Sequence, residues 1–165
     1  TSTSIDATKL SGALPAIDGS ALTSVNTPAF FAYNNADQSI AGSVSTKVTF
    51  NTEDYDSDNA FASNRFTVPT GEAGTYIFTA AVRTLDGSHG MYLSLRKNSG
   101  NSMRGGDMGL AETGFTADMQ FTTSLVLAAG DYVEVYVYIL AAIALQGVGD
   151  GWYRCHFSGF KLAGV

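Results

Sequence analysis

The chain has 165 residues, a formal net charge of −6 and a pI near 4.6, a balance that argues against nucleic acid and anionic membrane as partners. Charged residues make up only 15% while Gly occurs 18 times, and with frequent Thr, Ser, Tyr and Phe this is the composition of an all-β protein rich in turns. Cys155 is the lone cysteine, which excludes an intrachain disulfide and a cysteine-based metal centre, and without a run of 18 apolar residues no membrane-spanning segment is expected.

The length fits one domain with a short appendage, and a chain of this size buries about 68–70% of its unfolded surface. With neither an initial Met nor a signal peptide, the expectation is a fragment, a processed product or the ordered part of something longer.

Residues 1–27 contain no aromatic side chain, and Leu10, Leu14, Ile17, Leu22 and Val25 stand among Ser, Thr, Ala and Gly. Their spacing sustains no heptad, and Gly12, Pro15 and Gly19 interrupt any long helix. The expectation is an extended linker, too poor in apolar surface to fold alone. Several copies wound around one axis would bury those five side chains together.

Strand signals begin at Phe30. Phe30–Asn34 opens the domain, Val44–Phe50 alternates, and the polar, acidic stretch from Asn51 to Asn64 reads as a loop. Arg65–Pro69 is a short strand stopped by Pro69, Gly71 and Gly74. Gly74–Thr84 follows with Tyr76, Phe78, Ala80 and Val82 on its core face. Met91, Leu93 and Leu95 alternate with polar neighbours up to a hairpin turn at Asn98–Asn101. Strands over Ser102–Met108, Met119–Leu127 and Trp152–Leu162 complete the set. So many short antiparallel strands predict a sandwich or barrel.

One strand stands apart. In Gly130–Leu140, Val133, Val135, Val137 and Ile139 share one face, while Tyr132, Glu134, Tyr136, Tyr138 and Leu140 share the other. Each tyrosine offers about 150–250 Å² of burial, and an exposed patch on a soluble monomer rarely exceeds roughly 300–600 Å². One face fills a core. The other meets a sheet edge, a loop, a second subunit or cover within its own domain.

Leu10–Leu22 resembles linker segments that recur in bacteriophage tail-fibre proteins. Further on, Phe66-Thr67-Val68-Pro69, Gly74-Thr75-Tyr76-Ile77-Phe78, Leu95-Arg96-Lys97-Asn98, Gly130-Asp131-Tyr132-Val133 and Phe157-Ser158-Gly159-Phe160 occur in order. In order and spacing they resemble the complement globular-head and tumour-necrosis-factor-like jelly roll, and Phe50, Asp56 and Phe61 look like its upstream positions. Thr70-Gly71-Glu72-Ala73 looks two residues longer than that family's turn. The resemblance implies an all-β, ten-stranded, two-sheet jelly roll over residues 28–165 that assembles as a homotrimer. It places Tyr132, Tyr136 and Tyr138 at the trimer interface. With the linker in front, the whole resembles the receptor-binding tip of a phage tail fibre, which implies a virion-tail location, a bacterial surface receptor, and other tail proteins on the N-terminal side.

Catalytic chemistry is not legible. His89 and His156 are the only histidines, and Cys155 and His156 are strand neighbours that point to opposite faces, so they form no nucleophile–base pair. Cys155 reads as a small core residue. Asp54, Asp56 and Asp58 mimic the start of a calcium loop, but the sixth and twelfth places hold Asn59 and Arg65 instead of Gly and Glu. No cofactor is therefore expected. Calcium would have no motif here, with Asp86, Asp107 and Asp150 as weak candidates. Gly105-Gly106-Asp107 and Gly147–Gly151 are turns in a β context and cradle no phosphate.

Binding is expected on loops. Successive strands alternate direction, so the connections 85–90, 109–116 and 141–151 fall at the end far from the linker. They carry Asp86, Ser88, His89, Glu112, Thr113, Gln146 and Asp150, with Trp152 just beyond, and loops on a rigid scaffold are where binding usually resides. The competing expectations are a structural fibre knob without a ligand and a small glycan-active enzyme. The missing carboxylate pair argues against the enzyme.

Overall fold

The computed structural model describes residues 27–85, 90–100, 102–108, 116–148 and 151–162, with only the backbone for 102–108. Among them are thirteen strands and no helix: β1 (Ala29–Tyr33), β2 (Gln38–Ile40), β3 (Thr46–Lys47), β4 (Thr52–Asp56), β5 (Phe61–Ala62), β6 (Arg65–Thr67), β7 (Gly74–Arg83), β8 (Met91–Lys97), β9 (Ser102–Met108), β10 (Asp118–Leu127), β11 (Tyr132–Ile139), β12 (Ile143–Leu145) and β13 (His156–Lys161). One sheet has the order β10-β7-β13-β1-β4 and the other β5-β6-β11-β8-β9, with β3 paired beside β11. Every pairing is antiparallel. The ten strands of these two ladders form the expected jelly-roll sandwich.

Period-two patterning decides which side chains meet between the sheets. Tyr76, Phe78, Ala80 and Val82 of β7 are buried, as are Met91, Leu93 and Leu95 of β8 and Val133, Val135, Val137 and Ile139 of β11. Phe30 sits at the centre. Its ring stacks at 5.0 Å on both Phe61 and Phe66 and meets Phe157 edge-on at 5.0 Å, so one β1 residue ties both sheets together. Tyr76 is buried too, and its hydroxyl donates to the Glu72 carbonyl at 2.6 Å. Burial and the nearby Glu72 carboxylate push its pKa up to about 12.

The turns follow from backbone chemistry. Asn98 and Ser99 both have positive φ, and the Gly100 N–H donates to the Lys97 carbonyl at 2.8 Å, the two-residue turn whose twist matches a hairpin. Ser63 and Asn64 repeat it between β5 and β6. In the longer turn after Pro69, Gly71 has φ +85°, and Glu72 pairs with Lys161 at 3.0 Å.

Three expectations need correction. The acidic stretch 51–64 is not one loop: Thr52–Asp56 forms edge strand β4 beside β1, and Phe61–Ala62 forms β5. Charged side chains are a usual defence of an edge strand against further pairing, which is why its composition reads as a loop. The connection 141–151 is not a plain loop either, because β12 pairs with β2 through Ile143 and Ile40. The last strand starts at His156 rather than Trp152. Alternation therefore breaks before it, and Tyr153 is exposed while Cys155 and Phe157 are fully buried.

Candidate functional site

The ladders fix which connections share an end. Ala29 lies opposite Phe160 and Tyr33 opposite His156, so β1 runs from the end where the chain enters (proximal) to the far end (distal). Arg83 faces Asp118, Met91 faces Ile139, and Thr84 bridges Leu145. The chain thus leaves β7 and β11 and enters β8, β10 and β13 at the distal end. The turns at Asn98 and Gly130 lie at the proximal end, where the Asn98 N–H donates to the Tyr132 carbonyl at 3.0 Å.

Of the residues expected at the binding end, Asp86, Ser88, His89, Glu112, Thr113 and Asp150 lie outside the described residues, as does Asp107's side chain. Gln146 is half-buried, and its N–H donates to the Arg83 carbonyl at 2.8 Å. Trp152 is 65% exposed, with the Arg154 guanidinium 5.6 Å from its ring centre. Residues 1–26 of the expected linker are likewise outside the described residues.

The doubly apolar strand finds cover within its own chain. The Arg96 guanidinium lies 3.9 Å over the Tyr136 ring and that of Arg65 lies 4.5 Å over Tyr132, each a cation–π contact. Tyr138 packs edge-on against Tyr92 at 5.9 Å. Glu134, buried between the tyrosines, pairs with Lys47 of β3 at 3.1 Å. Tyr132, Tyr136 and Tyr138 remain half-buried.

The opposite sheet presents a different outer face. Across β10, β7, β13 and β1 the register sets Ser124, Ile77, Phe160 and Ala29 in one row, Thr122, Thr79, Ser158 and Phe31 in the next, and Gln120, Ala81, His156 and Tyr33 in a third. None is an acid, a lysine or an arginine. Thr79 and Thr122 hydrogen bond at 2.9 Å. Phe31 stacks on His156 at 5.3 Å and lies 6.4 Å from Tyr55 of β4, while Tyr33 meets Tyr153 at 4.2 Å. Sequence reading missed this face. Its only signal was the consecutive aromatic pair Phe30-Phe31, which must point to opposite sides.

At the distal rim of that face is a cleft of about 220 Å³ lined by Ala81, Val82, Asp118, Met119, Gln120, Tyr153, Arg154 and His156. Asp118 pairs with Arg83 at 3.3 Å. The Tyr153 carbonyl accepts from His156 Nδ1 at 3.1 Å, which leaves Nε2 as the free acceptor of the neutral ring. Cys155 points away into the core, where burial pushes its thiol up to about 11, so it is not a nucleophile at neutral pH. Among the described residues no cluster of three His, Cys, Asp or Glu side chains forms a metal centre.

The architecture matches solved structures closely enough to fix the fold. The globular domain of zebrafish complement 1qA protein superposes with a TM-score of 0.59 at 19% identity, covering 82% of this chain and 97% of that one. Murine APRIL gives 0.64 at 12% identity, covering 83% and 100%. Eiger TNF from S. frugiperda gives 0.56 at 13% identity, covering 84% and 94%. No protein-family model and no curated protein matches the sequence. The fold is a complement-head and tumour-necrosis-factor-like jelly roll.

Proposed function

We propose that the chain is the trimeric receptor-binding tip of a bacteriophage tail fibre, attaching the virion to a surface glycan on its bacterial host. In this reading residues 1–27 are the fibre linker, residues 28–165 are the head, and other tail proteins join on the linker side. The observation that carries its trimeric part is the three uncharged rows across the outer face of the β10-β7-β13-β1 sheet. Interface cores are depleted in charge and enriched in aromatic residues, and a closed homotrimer disposes of such a face without leaving an aggregating surface. We place the contact there, around Ile77, Phe31 and Phe160, rather than on Tyr132, Tyr136 and Tyr138, whose rings already have Arg65, Arg96 and Tyr92 as partners. The linker resemblance supports the fibre context. The gathering of the longer connections at the end far from Ala29 supports binding there, and threefold repetition multiplies weak contacts by avidity.

The test is binding of the purified, fluorescently labelled protein to a panel of bacteria, competed with their isolated surface polysaccharides. Saturable, polysaccharide-competed binding to some strains is expected. A trimer that binds none of a broad panel points instead to a fibre knob whose only task is to hold three chains together.

A further inference from the structure

On the outer face of the β5-β6-β11-β8-β9 sheet two arginines stand without a counter-charge. Register sets Glu134 of β11 opposite Arg96 of β8, and Tyr136 between Ser94 and Lys47. Opposite charges on facing strands pair readily, yet Glu134 pairs with Lys47 at 3.1 Å. Arg96 lies 3.9 Å over the Tyr136 ring instead, and Arg65 lies 4.5 Å over Tyr132. Asp131, at the proximal rim, is held by Lys97 at 2.6 Å. Neither arginine has a carboxylate partner among the described residues, and Arg96 bonds there only to the Ser45 hydroxyl. Two uncancelled cations therefore share one face of a chain with net charge −6.

Each guanidinium rests on a ring, and a restrained planar fork fits a carboxylate with little freedom left to lose. The two lie over Tyr132 and Tyr136, about 13 Å apart along β11, too far for one small anion to bridge. The next row toward the distal end holds Tyr138 and Tyr92, the latter 52% exposed. On the proximal side of Tyr92, the Tyr136 row shrinks to Ser94 and then to Gly105 of β9, so that side of its ring is open. From Tyr132 to Leu140 and three strands across, the strip measures about 27 by 14 Å. That is roughly half of the 800 Å² per partner in a standard protein interface. Its hydroxyls, from Ser45, Ser94 and Tyr136, both give and accept hydrogen bonds. A narrow strip with separated cations, hydroxyls and an open aromatic ring suits a chain of hydroxylated rings bearing acid groups. We infer that this strip binds an acidic polysaccharide, with carboxylates on Arg65 and Arg96 and a sugar ring against Tyr92. It lies on the sheet away from the trimer contact placed above, and it rests on the receptor-binding reading for its biological role alone.

The experiment titrates the full chain with hexagalacturonate in a calorimeter. Two comparison ligands are its methyl ester, which keeps the rings without the charges, and hexaglutamate, which keeps the charges without the rings. Saturable binding of hexagalacturonate is expected, with both comparison ligands at least about tenfold weaker. Arg65→Ala and Arg96→Ala should each lose about fivefold, the upper range for an exposed ion pair, and Tyr92→Ala should also weaken binding. Sedimentation and thermal melts identify the variants that remain assembled and folded. Should Arg96→Ala lose its fold, Arg65→Ala and Tyr92→Ala carry the test. Equal binding of either comparison ligand, or undiminished hexagalacturonate binding by folded Arg65→Ala, would overturn the proposal. Cell binding separates the two readings. If wild type binds hexagalacturonate but no bacteria, the strip stands and the receptor-binding reading falls. If it binds bacteria but no hexagalacturonate, the strip falls and the receptor-binding reading stands.

Discussion

Gly159 offers the sharpest test of the packing. It lies in the middle of β13, directly opposite Phe30 on one side and Phe78 on the other. A methyl group built there would sit 2.4 Å from the Phe78 ring at Cδ1 and 3.0 Å from Phe30 Cε1. Carbon atoms pack best at about 3.5–4.0 Å, so Gly159→Ala forces a displacement of about 1 Å. Neither ring is free to give way: Phe78 is held by Tyr76, Phe66 and Phe157, and Phe30 by Phe61 and Phe66. Overpacking of a filled core costs about 1–3 kcal/mol, and this site belongs at the upper end because the obstacle is two fixed rings. At about 2–4 °C per kcal/mol for a chain of this size, the melting temperature should fall by about 6–12 °C. Differential scanning calorimetry at fixed protein concentration measures it. Adding Phe78→Leu to Gly159→Ala should recover part of the loss, since neighbours sharing a contact are not additive. A Gly159→Ala protein that melts with wild type would show that the rings do not lie over this strand, and the central packing described here would be wrong.

Two further outcomes follow. Phe160→Glu places a charge on the uncharged sheet face and should yield monomer in sedimentation, whereas Tyr136→Glu should leave a trimer of reduced stability; the reverse pattern would move the contact to the tyrosine face. Lys97 and Asn98, together with the Ala128 N–H, hold the Asp131 carboxyl down at about 2, below the unfolded value of about 3.9. That contribution to stability is full above pH 4 and disappears as the pH falls through 2, so Asp131→Asn should flatten the stability profile across that window. An acid titration followed by circular dichroism, unchanged by the substitution, would contradict this.

Where the sequence could be read, one periodicity acted over a long enough run. β7 and β11 have ten and eight residues, and their alternation announces both the strand and the buried face. β2, β3 and β12 have two or three residues each, too few to carry a period, and they exist because a longer neighbour or a partner stabilises them. β4 was hidden for another reason: Glu53, Asp54 and Asp56 are what an edge strand tolerates, and they look like a loop. The cover over the tyrosine face was hidden in a third way. Tyr136 is covered by Arg96 from β8, and the sequence separation between them hides that contact. The distal end was legible in part, since alternating strand direction placed the long connections together. The cleft was not, because Asp118 and the Arg154–His156 segment come from separate stretches that only the register of β7 with β10 and β13 brings side by side.

The first strand also settles how the head takes a load. β1 carries hydrogen bonds on both sides, to β13 through Ala29–Tyr33 and to β4 through Phe30–Tyr33, and Phe30 anchors it in the core. Tension on the segment before Ala29, opposed by an attachment at the far end, acts along the strand axis. Such a pull shears both ladders at once, with all their bonds strained together instead of parting singly as in an unzipping hairpin. The strand that leads into the domain is therefore held on both sides against such a pull.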